Sequence, residues 1–171
     1  MKVLVTGGAG YIGSHTIIEL FEKNYTEIVS ADNYLNSSEI EYDKLASILG
    51  SKINFEKVDL SDSKACLALF RQHQFNAVIH FAALKSVPES VDMPNLYYQN
   101  NLNSLLNVLN GMKETGVNKI IFSSSCAVYG NPKVLPVNEN TPYGKPESPY
   151  AHTKQIGCLL YTSDAADEED S

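Results

Sequence analysis

Three glycines spaced three residues apart, Gly7, Gly10 and Gly13, begin one residue beyond the apolar run at residues 3–5. Apolar residues then recur at helical spacing, so the glycines occupy the turn from a predicted first strand into a predicted first helix. Glycine suits a turn where the chain bends sharply, a pyrophosphate approaches the backbone and the helix packs closely on the sheet. The N–H groups at the start of such a helix attract phosphates. The spacing therefore favours a phosphate-binding turn, with an ordinary tight turn as the alternative.

The rest of the chain alternates strand-like and helix-like segments. Short apolar runs rich in β-branched residues predict five strands, at residues 2–6, 27–31, 53–58, 77–81 and 119–123. A long amphipathic helix is predicted at residues 95–115, with a stripe formed by Tyr98, Leu102, Leu105, Leu106 and Leu109. This alternation predicts a parallel sheet, and strands that are apolar along their length predict helices on both faces. The predicted fold class is α/β, a Rossmann-like doubly wound parallel sheet that is truncated.

An acidic residue ends the second predicted strand. Asp32 lies 19 residues after Gly13, where a carboxylate in this kind of sheet accepts the ribose hydroxyls of an adenosine. Its charge would also repel a 2′-phosphate, which favours NAD over NADP. The alternative is an aspartate that forms the turn before Asn33.

Two further strand ends fall on the same side of a parallel sheet, where doubly wound folds bind their ligands. Asp59 could accept from an adenine amino group, or it could cap the next helix together with Ser61. Ala82 and Ala83 are small enough for a cofactor to lie against the backbone, or for simple helix packing. Lys85 could bind a phosphate or a ribose hydroxyl, although an isolated lysine is usually a solvated one.

A second group of residues carries acid–base chemistry. Ser125 ends the fifth predicted strand. Ser148 and Pro149 then predict the start of a helix, and that helix carries Tyr150 and Lys154. Residues four apart share one helix face, so the ammonium group can favour the ionised phenol, which would be a general base. By itself Tyr-x-x-x-Lys is usually a surface pair, but it becomes specific together with the glycine-rich turn and the strand-end residues.

Composition excludes several other classes of function. The formal net charge of −7 argues against a nucleic-acid partner and against binding to an acidic membrane surface. No stretch approaches the ~20 apolar residues of a membrane helix, and the first glycine comes too early for a signal segment. The three cysteines and four histidines lack metal-ligand spacing, so no metal site is predicted. We expect a cytoplasmic protein.

Together these residues resemble the extended short-chain dehydrogenase/reductase superfamily and, within it, the UDP-glucose 4-epimerase family. The resemblance runs from residue 1 to about residue 157. It is carried by five stretches of the sequence: VLVTGGAGYIGSHT at 3–16, DN at 32–33, VIHFAALKSV at 78–87, YYQNN at 97–101 and FSSSCAVYG at 122–130. Ala83 and Ala127 stand where the family often has glycine and threonine.

The resemblance implies a role in galactose metabolism, with a UDP-sugar as substrate, bound NAD, a 4-keto sugar intermediate and a homodimer as the full-length assembly. It implies that Tyr150 takes the proton of the sugar 4-hydroxyl, that Ser125 bonds the same oxygen and that Lys154 favours the phenolate. The implied cofactor-binding residues also include Tyr150 and Lys154; the others are Gly7, Gly10, Tyr11, Ile12, Gly13, Asp32, Asn33, Asn36, Ser37, Asp59, Leu60, Phe81, Ala82, Ala83, Lys85 and Asn100.

Two alternatives stay open. One is another NAD-dependent nucleotide-sugar epimerase or decarboxylase, acting on UDP-xylose or UDP-glucuronate, and the other is a catalytically dead NAD-binding fragment. Related dehydratases carry an acid pair after the fifth strand, which is absent around Ser125. Residues 158–168 resemble a translated sequencing adapter. We therefore predict an NAD-binding domain at 1–157, a helix cut off after two turns, a non-native disordered tail at 158–171 and no activity for the chain as given.

Overall fold

A computed structural model describes residues 1–166, and their side chains as far as residue 160. The strands are β1 (Val3–Thr6), β2 (Ile28–Asp32), β3 (Asn54–Lys57), β4 (Ala77–His80) and β5 (Ile120–Phe122). The helices are α1 (Tyr11–Glu22), α2 (Ile40–Leu49), α3 (Ser63–His73), α4 (Val87–Asp92), α5 (Pro94–Thr115) and α6 (Pro149–Ala166), with a 3₁₀ helix at Cys126–Tyr129. The five predicted strands are confirmed, each close to its expected bounds.

The strands form one parallel sheet in the order β3-β2-β1-β4-β5. β1 is the central strand, since Thr6 pairs with Ala31 of β2 on one side and with His80 of β4 on the other. Parallel pairing brings the C-terminal ends of these strands to one edge of the sheet, where such folds bind ligands. The arrangement confirms the predicted Rossmann-like α/β fold.

Burial separates the inner strands from the outer ones. Every residue of β1 and β2 is buried, and so are the last three residues of β4. β3 is mostly exposed, and Ile121 in the middle of β5 is 64% exposed. The prediction that helices cover both faces of all strands is therefore wrong for β3 and β5, because these two strands lie at the edges of the sheet.

The chain divides into two compact units. The first unit comprises residues 1–83 and 103–121, and so contains β1 to β4 with α1, α2 and α3. The second unit comprises residues 84–102 and the residues from 122 onward, and so contains α4, the 3₁₀ helix and α6. The predicted domain boundary at residue 157 stays a prediction.

The first unit has a core between its inner strands and the helices α1 and α2. Val5 and Ile17 are fully buried there. Tyr42 of α2 lies beside them, with its hydroxyl 2.6 Å from the Ser30 hydroxyl and its ring stacked on Phe55 at 4.7 Å between centroids. This packing fixes β2 and so the position of the residues that follow it.

In the second unit α6 packs against α4 and the 3₁₀ helix. Val128 and Ala151 are buried at these contacts. The Gln155 side chain donates to the carbonyl oxygens of Val128 and Gly144, at 2.7 Å each. One buried amide thus holds the long loop after the 3₁₀ helix onto α6.

The long predicted helix is confirmed as α5, but its buried face differs from the predicted stripe. Leu106 of that stripe is 40% exposed. Apart from Gly111, the buried residues of α5 are Tyr97, Asn101, Ser104, Leu105, Val108, Leu109 and Met112. The stripe was misplaced because only apolar residues were counted, whereas the buried face includes an asparagine and a serine.

The helix that carries Tyr150 is longer than predicted. It continues to Ala166 instead of ending after two turns, since residues 158–166 contain no proline or glycine that would stop it. The segment expected to be disordered is therefore helical as far as Ala166. The remainder of the predicted tail, residues 167–171, lies outside the described residues.

Candidate active site

The glycine-rich turn connects β1 to α1 at the C-terminal edge of the sheet. Gly7 has a φ of +68°, in the left-handed region, and a Cβ atom added there would lie 2.8 Å from the backbone nitrogen of Ala82. A Cβ added at Gly13 would overlap the carbonyl oxygen of Gly7. Gly7 is needed for the conformation of the turn, and Gly13 is needed because α1 passes close to the backbone of Gly7.

The N-terminus of α1 is open to an anion. Gly10 is the N-cap residue, and among the described residues no side chain caps the first N–H groups of this helix. Asp62 and Ser86 supply such a bond at α3 and α4. Tyr11 and Ile12 on the first turn are 74% and 57% exposed, although both are large and hydrophobic. Uncapped N–H groups beside uncovered hydrophobic side chains suit a phosphate and the groups attached to it.

Asp32 links this turn to the loop after β2. It is buried, and its Oδ2 atom accepts a hydrogen bond from the Ala9 N–H at 3.1 Å. Its Oδ1 atom accepts from the Tyr34 N–H at 2.9 Å and from the Ser37 hydroxyl at 3.0 Å. A carboxylate offers about four acceptor positions, and the described residues use three of them. Asp32 can therefore accept one ribose hydroxyl, and a second only if the Ser37 hydroxyl gives way.

The other predicted residues of this loop are placed by local turns. The Asn33 side chain accepts from the Leu35 N–H at 3.0 Å, and Asn36 is exposed. Tyr34 has a φ of +60°, which is uncommon for a bulky residue. The loop thus holds an unfavourable backbone conformation directly beside Asp32.

The loop after β3 contains Asp59 and the buried Leu60. Asp59 Oδ1 accepts from the N–H and the hydroxyl of Ser61, at 2.9 and 2.7 Å. Asp62 caps α3, so the suggestion that Asp59 and Ser61 cap this helix is wrong. Asn107 of α5, which sequence reasoning missed, donates to the carbonyl oxygens of Leu60 and Ser61 at 2.9 and 3.0 Å.

The loop after β4 begins with the partly exposed residues Phe81, Ala82 and Ala83. The Ala82 N–H donates to the Thr6 hydroxyl at 3.2 Å, and the same hydroxyl lies 2.9 Å from Nδ1 of His80. Thr6 was also missed, although its place at the end of β1 was visible in the sequence. It fixes the backbone that closely approaches the glycine-rich turn.

In the second unit, Ser125 is the N-cap residue of the 3₁₀ helix. Its hydroxyl oxygen accepts from the Ala127 N–H at 3.2 Å. A hydroxyl that accepts one bond still has a proton to donate. Ser125 can therefore donate to an oxygen of a bound molecule without giving up its capping bond.

Tyr150 and Lys154 lie on the first two turns of α6. Pro149 is the first residue of this helix, and the Ser148 hydroxyl accepts from the Ala151 N–H at 3.2 Å, as the sequence predicts. Tyr150 is partly exposed, whereas Lys154 is 5% exposed. The helix start is thus anchored where the predicted base lies.

The Lys154 ammonium group lies at the end of β5. Its Nζ atom donates to the carbonyl oxygen of Ser123 at 2.7 Å and is 4.9 Å from the centre of the Phe122 ring. Burial lowers the pKa of Lys154 to about 8, partly opposed by the nearby Cys158. The group is therefore still mostly charged at pH 7, and it contacts the segment that contains Ser125.

The two remaining predicted residues are also in the second unit. Lys85 is exposed, and Asn100 is partly buried, with its Nδ2 atom donating to Oδ1 of Asn101 at 3.0 Å. Asn101 was missed because it is polar at a buried helix position. Within the described part of the chain, no group of three potential metal ligands is found and no helix is long and apolar enough to cross a membrane.

The strand order, the open helix start after the glycine-rich turn and the acid at the end of β2 define a Rossmann-like α/β protein of the dinucleotide-binding class. The family model described as GDP-mannose 4,6 dehydratase matches residues 4–163, and the chain belongs to this family. A UDP-glucose 4-epimerase from Bacillus subtilis (strain 168) is 46% identical over 168 residues, covering 96% of this chain and 49% of the relative. The chain spans about half the length of the curated relatives it matches.

Solved structures of UDP-glucose 4-epimerases are also similar to this chain. A UDP-glucose 4-epimerase from Bifidobacterium longum, in complex with NAD+ and UDP, has a TM-score of 0.94 and 43% identity, covering 98% of this chain and 50% of that one. The enzyme from Stenotrophomonas maltophila, with bound NAD and formylated UDP-arabinopyranose, has a TM-score of 0.93 and 39% identity, covering 98% of this chain and 49% of that one. The chain is thus similar to one half of these epimerases.

Proposed function

We propose that this chain is the NAD-binding half of a UDP-glucose 4-epimerase, an isomerase that interconverts UDP-glucose and UDP-galactose at C4 of the hexose. The observation that carries the proposal is the Tyr150–Lys154 pair on α6, with the charged Lys154 bound to the segment of Ser125. Similarity to epimerases along nearly the whole chain supports it. Because the chain spans half of those relatives, the proposed activity is that of both halves together.

The first unit has groups that fit NAD. The uncapped start of α1 and the glycine-rich turn would bind the pyrophosphate, and Asp32 would accept a ribose hydroxyl and disfavour NADP. The other proposed contacts of this unit are Tyr11, Ile12, Asn33, Asn36, Ser37, Asp59, Leu60, Phe81, Ala82 and Ala83. NAD, when bound, supplies a hydride acceptor that returns the hydride within the same turnover.

The second unit has the groups that would move the proton. Tyr150, as phenolate, would take the proton of the sugar 4-hydroxyl and later return it. Lys154 would place its ammonium group on the same helix as Tyr150, held by the Ser123 carbonyl oxygen, and Ser125 would donate a hydrogen bond to the same sugar oxygen. Lys85, Asn100, Tyr150 and Lys154 are the proposed cofactor contacts of this unit.

The proposal also includes the substrate, the pathway, the cellular location and the oligomeric state of the enzyme. A UDP-sugar would be the substrate, the pathway would be galactose metabolism in the cytoplasm, and the longer protein would be a homodimer. Residues 1–157 would form the NAD-binding part, and the sequence after them would be non-native.

The test uses a chimera in which residues 1–157 precede the C-terminal half of the Bacillus subtilis epimerase. Tyr150→Phe should lower conversion of UDP-galactose at least about a hundredfold, because only the proton acceptor is lost. Its Kd for NAD should stay within about twofold of the unsubstituted chimera, because the aromatic ring remains. A twofold change corresponds to about 0.4 kcal/mol. Tyr25→Phe, at an exposed tyrosine of the first unit, is the matched control. Near-normal conversion by the Tyr150 variant would remove that residue from the role of base.

A further inference from the structure

We propose that Asn107 is a positioning residue for Asp59 and thereby sets the preference of the site for adenine, an inference that rests on the proposed function. Asn107 lies on α5 and belongs, like the loop after β3, to the first unit. Its side chain is bonded to the two residues that follow Asp59. Asp59 is a proposed cofactor contact, and its carboxylate is suited to accept a hydrogen bond from the amino group of adenine.

The loop after β3 is a tight turn over residues 59–62. The Asp62 N–H donates to the Asp59 carbonyl oxygen at 3.1 Å, which makes Leu60 and Ser61 the central residues of the turn. The carbonyl oxygens of the central residues have no partner within a turn of this kind. They therefore need donors from another part of the molecule or from water.

Asn107 supplies both of these donors. Its Nδ2 atom donates to the Leu60 carbonyl oxygen at 2.9 Å and to the Ser61 carbonyl oxygen at 3.0 Å. An amide nitrogen has two hydrogens, so one side chain satisfies both oxygens at once. Leu60 is 4% exposed, and a buried carbonyl oxygen without a donor would be costly. The backbone of the turn is thus held on α5.

The same turn orients the Asp59 carboxylate. Asp59 Oδ1 accepts from the N–H and from the hydroxyl of Ser61, at 2.9 and 2.7 Å. Asp59 is exposed, and within the part of the chain whose side chains are described, no hydrogen bond reaches its Oδ2 atom. One oxygen is therefore fixed by the residue that Asn107 holds, and the other can accept from a ligand.

The strand that leads into the turn gives it little support. β3 lies at the edge of the sheet, and most of its residues are exposed. α5 has 22 residues and a buried face that includes Leu105, Val108 and Leu109. Asn107 thus ties a turn at an exposed edge to a well-packed helix, so the position of Asp59 depends on that helix.

The test compares ADP with inosine diphosphate in the 171-residue chain. Hypoxanthine carries an oxygen where adenine carries its amino group, so the wild-type chain should bind ADP at least about tenfold more tightly. Asn107→Asp keeps the shape of the side chain but removes both donors. Calorimetry should show the preference fall to about twofold, through a higher Kd for ADP and a Kd for inosine diphosphate that changes less than about twofold. Asn110→Asp, at an exposed asparagine of α5, adds the same charge and should retain the full preference.

Asn107→Ala is the second variant and removes both donors without adding a charge. It should lower the preference for ADP to about threefold, and it keeps the test decisive if the aspartate variant does not fold. In a chain that already carries Asp59→Ser, Asn107→Ala should leave the ratio of the two Kd values unchanged, because no carboxylate remains to be positioned.

Three results would overturn this inference and leave the proposed function standing. Equal losses for both nucleotides in the Asn107 variants would mean that this residue only supports the fold. A preference that both variants retain would exclude a positioning role. A wild-type chain that binds both nucleotides equally would show that Asp59 does not distinguish the bases. A wild-type chain that bound neither ADP nor NAD would overturn the proposed function as well.

Discussion

Lys154 is a buried ammonium group. It is 5% exposed, and the Ser123 carbonyl oxygen and the Phe122 ring are its close neighbours. Burial lowers the pKa to about 8, from an ordinary value near 10.4. The unfolded chain therefore binds more protons than the folded chain between about pH 8 and pH 10, and in that range this residue makes stability rise with pH.

The prediction concerns the pH dependence of unfolding by urea. The free energy of unfolding of the wild-type chain, minus that of Lys154→Met, should increase by about 3 kcal/mol from pH 7 to pH 10.5. Taking the difference removes the contributions of Cys66, Tyr42 and Tyr97, whose raised pKa values act in the opposite direction at high pH. Lys52→Met, at an exposed lysine, gives the baseline. A difference that stays constant with pH would show that Lys154 is not desolvated.

Residue patterns predicted some of the candidate site but not how its groups are bonded. Asp32 was recognised from its distance to Gly13, whereas its bond to the Ser37 hydroxyl depends on a loop whose path the sequence does not specify. Asn101 was overlooked because the stripe on α5 was chosen from leucines and a tyrosine. A polar residue on a buried helix face can be recognised as buried only after that face has been assigned correctly.

The glycine-rich turn is the element proposed to bind the pyrophosphate of NAD. Gly7 and Gly50 both have left-handed backbones, with φ of +68° and +63°, but only Gly7 has other backbone atoms within reach of an added Cβ. The two glycines therefore separate the cost of the backbone conformation from the cost of close approach.

Substituting each glycine with alanine should give unequal losses of stability. Gly50→Ala should cost about 1 kcal/mol from the left-handed conformation, and Gly7→Ala about 2 kcal/mol more, because its Cβ meets the backbone of Phe81 and Ala82. Urea unfolding of both variants measures the difference. Equal losses would show that the turn does not need its close contact with the loop after β4.

Sequence patterns were most informative for the inner strands and least informative for short or exposed elements. β1, β2 and β4 are buried along nearly their whole length, and each begins with the apolar residues that predicted it. α4 has only six residues and was not predicted, although Ser86 and Pro88 mark its start. α2 was missed as well, since only Tyr42 and Leu45 of its residues are buried.

At the scale of the whole molecule, two compact units carry different parts of the proposed chemistry. The first contains the glycine-rich turn and Asp32, and the second contains Ser125, Tyr150 and Lys154. The family resemblance was inferred from these motifs and their order along the chain. The family model that matches residues 4–163 agrees with it. The choice of sugar could not be predicted, because the chain spans about half of its relatives.

The most direct test of the central claim is conversion of UDP-galactose to UDP-glucose by the chimera with the Bacillus subtilis C-terminal half. We expect many turnovers per NAD-loaded chimera and none by residues 1–171 alone under the same conditions. A chimera that folds and binds NAD but leaves UDP-galactose unchanged would contradict the claim that this chain is half of such an epimerase. Sustained turnover by the 171-residue chain alone would contradict the claim that the activity needs both halves.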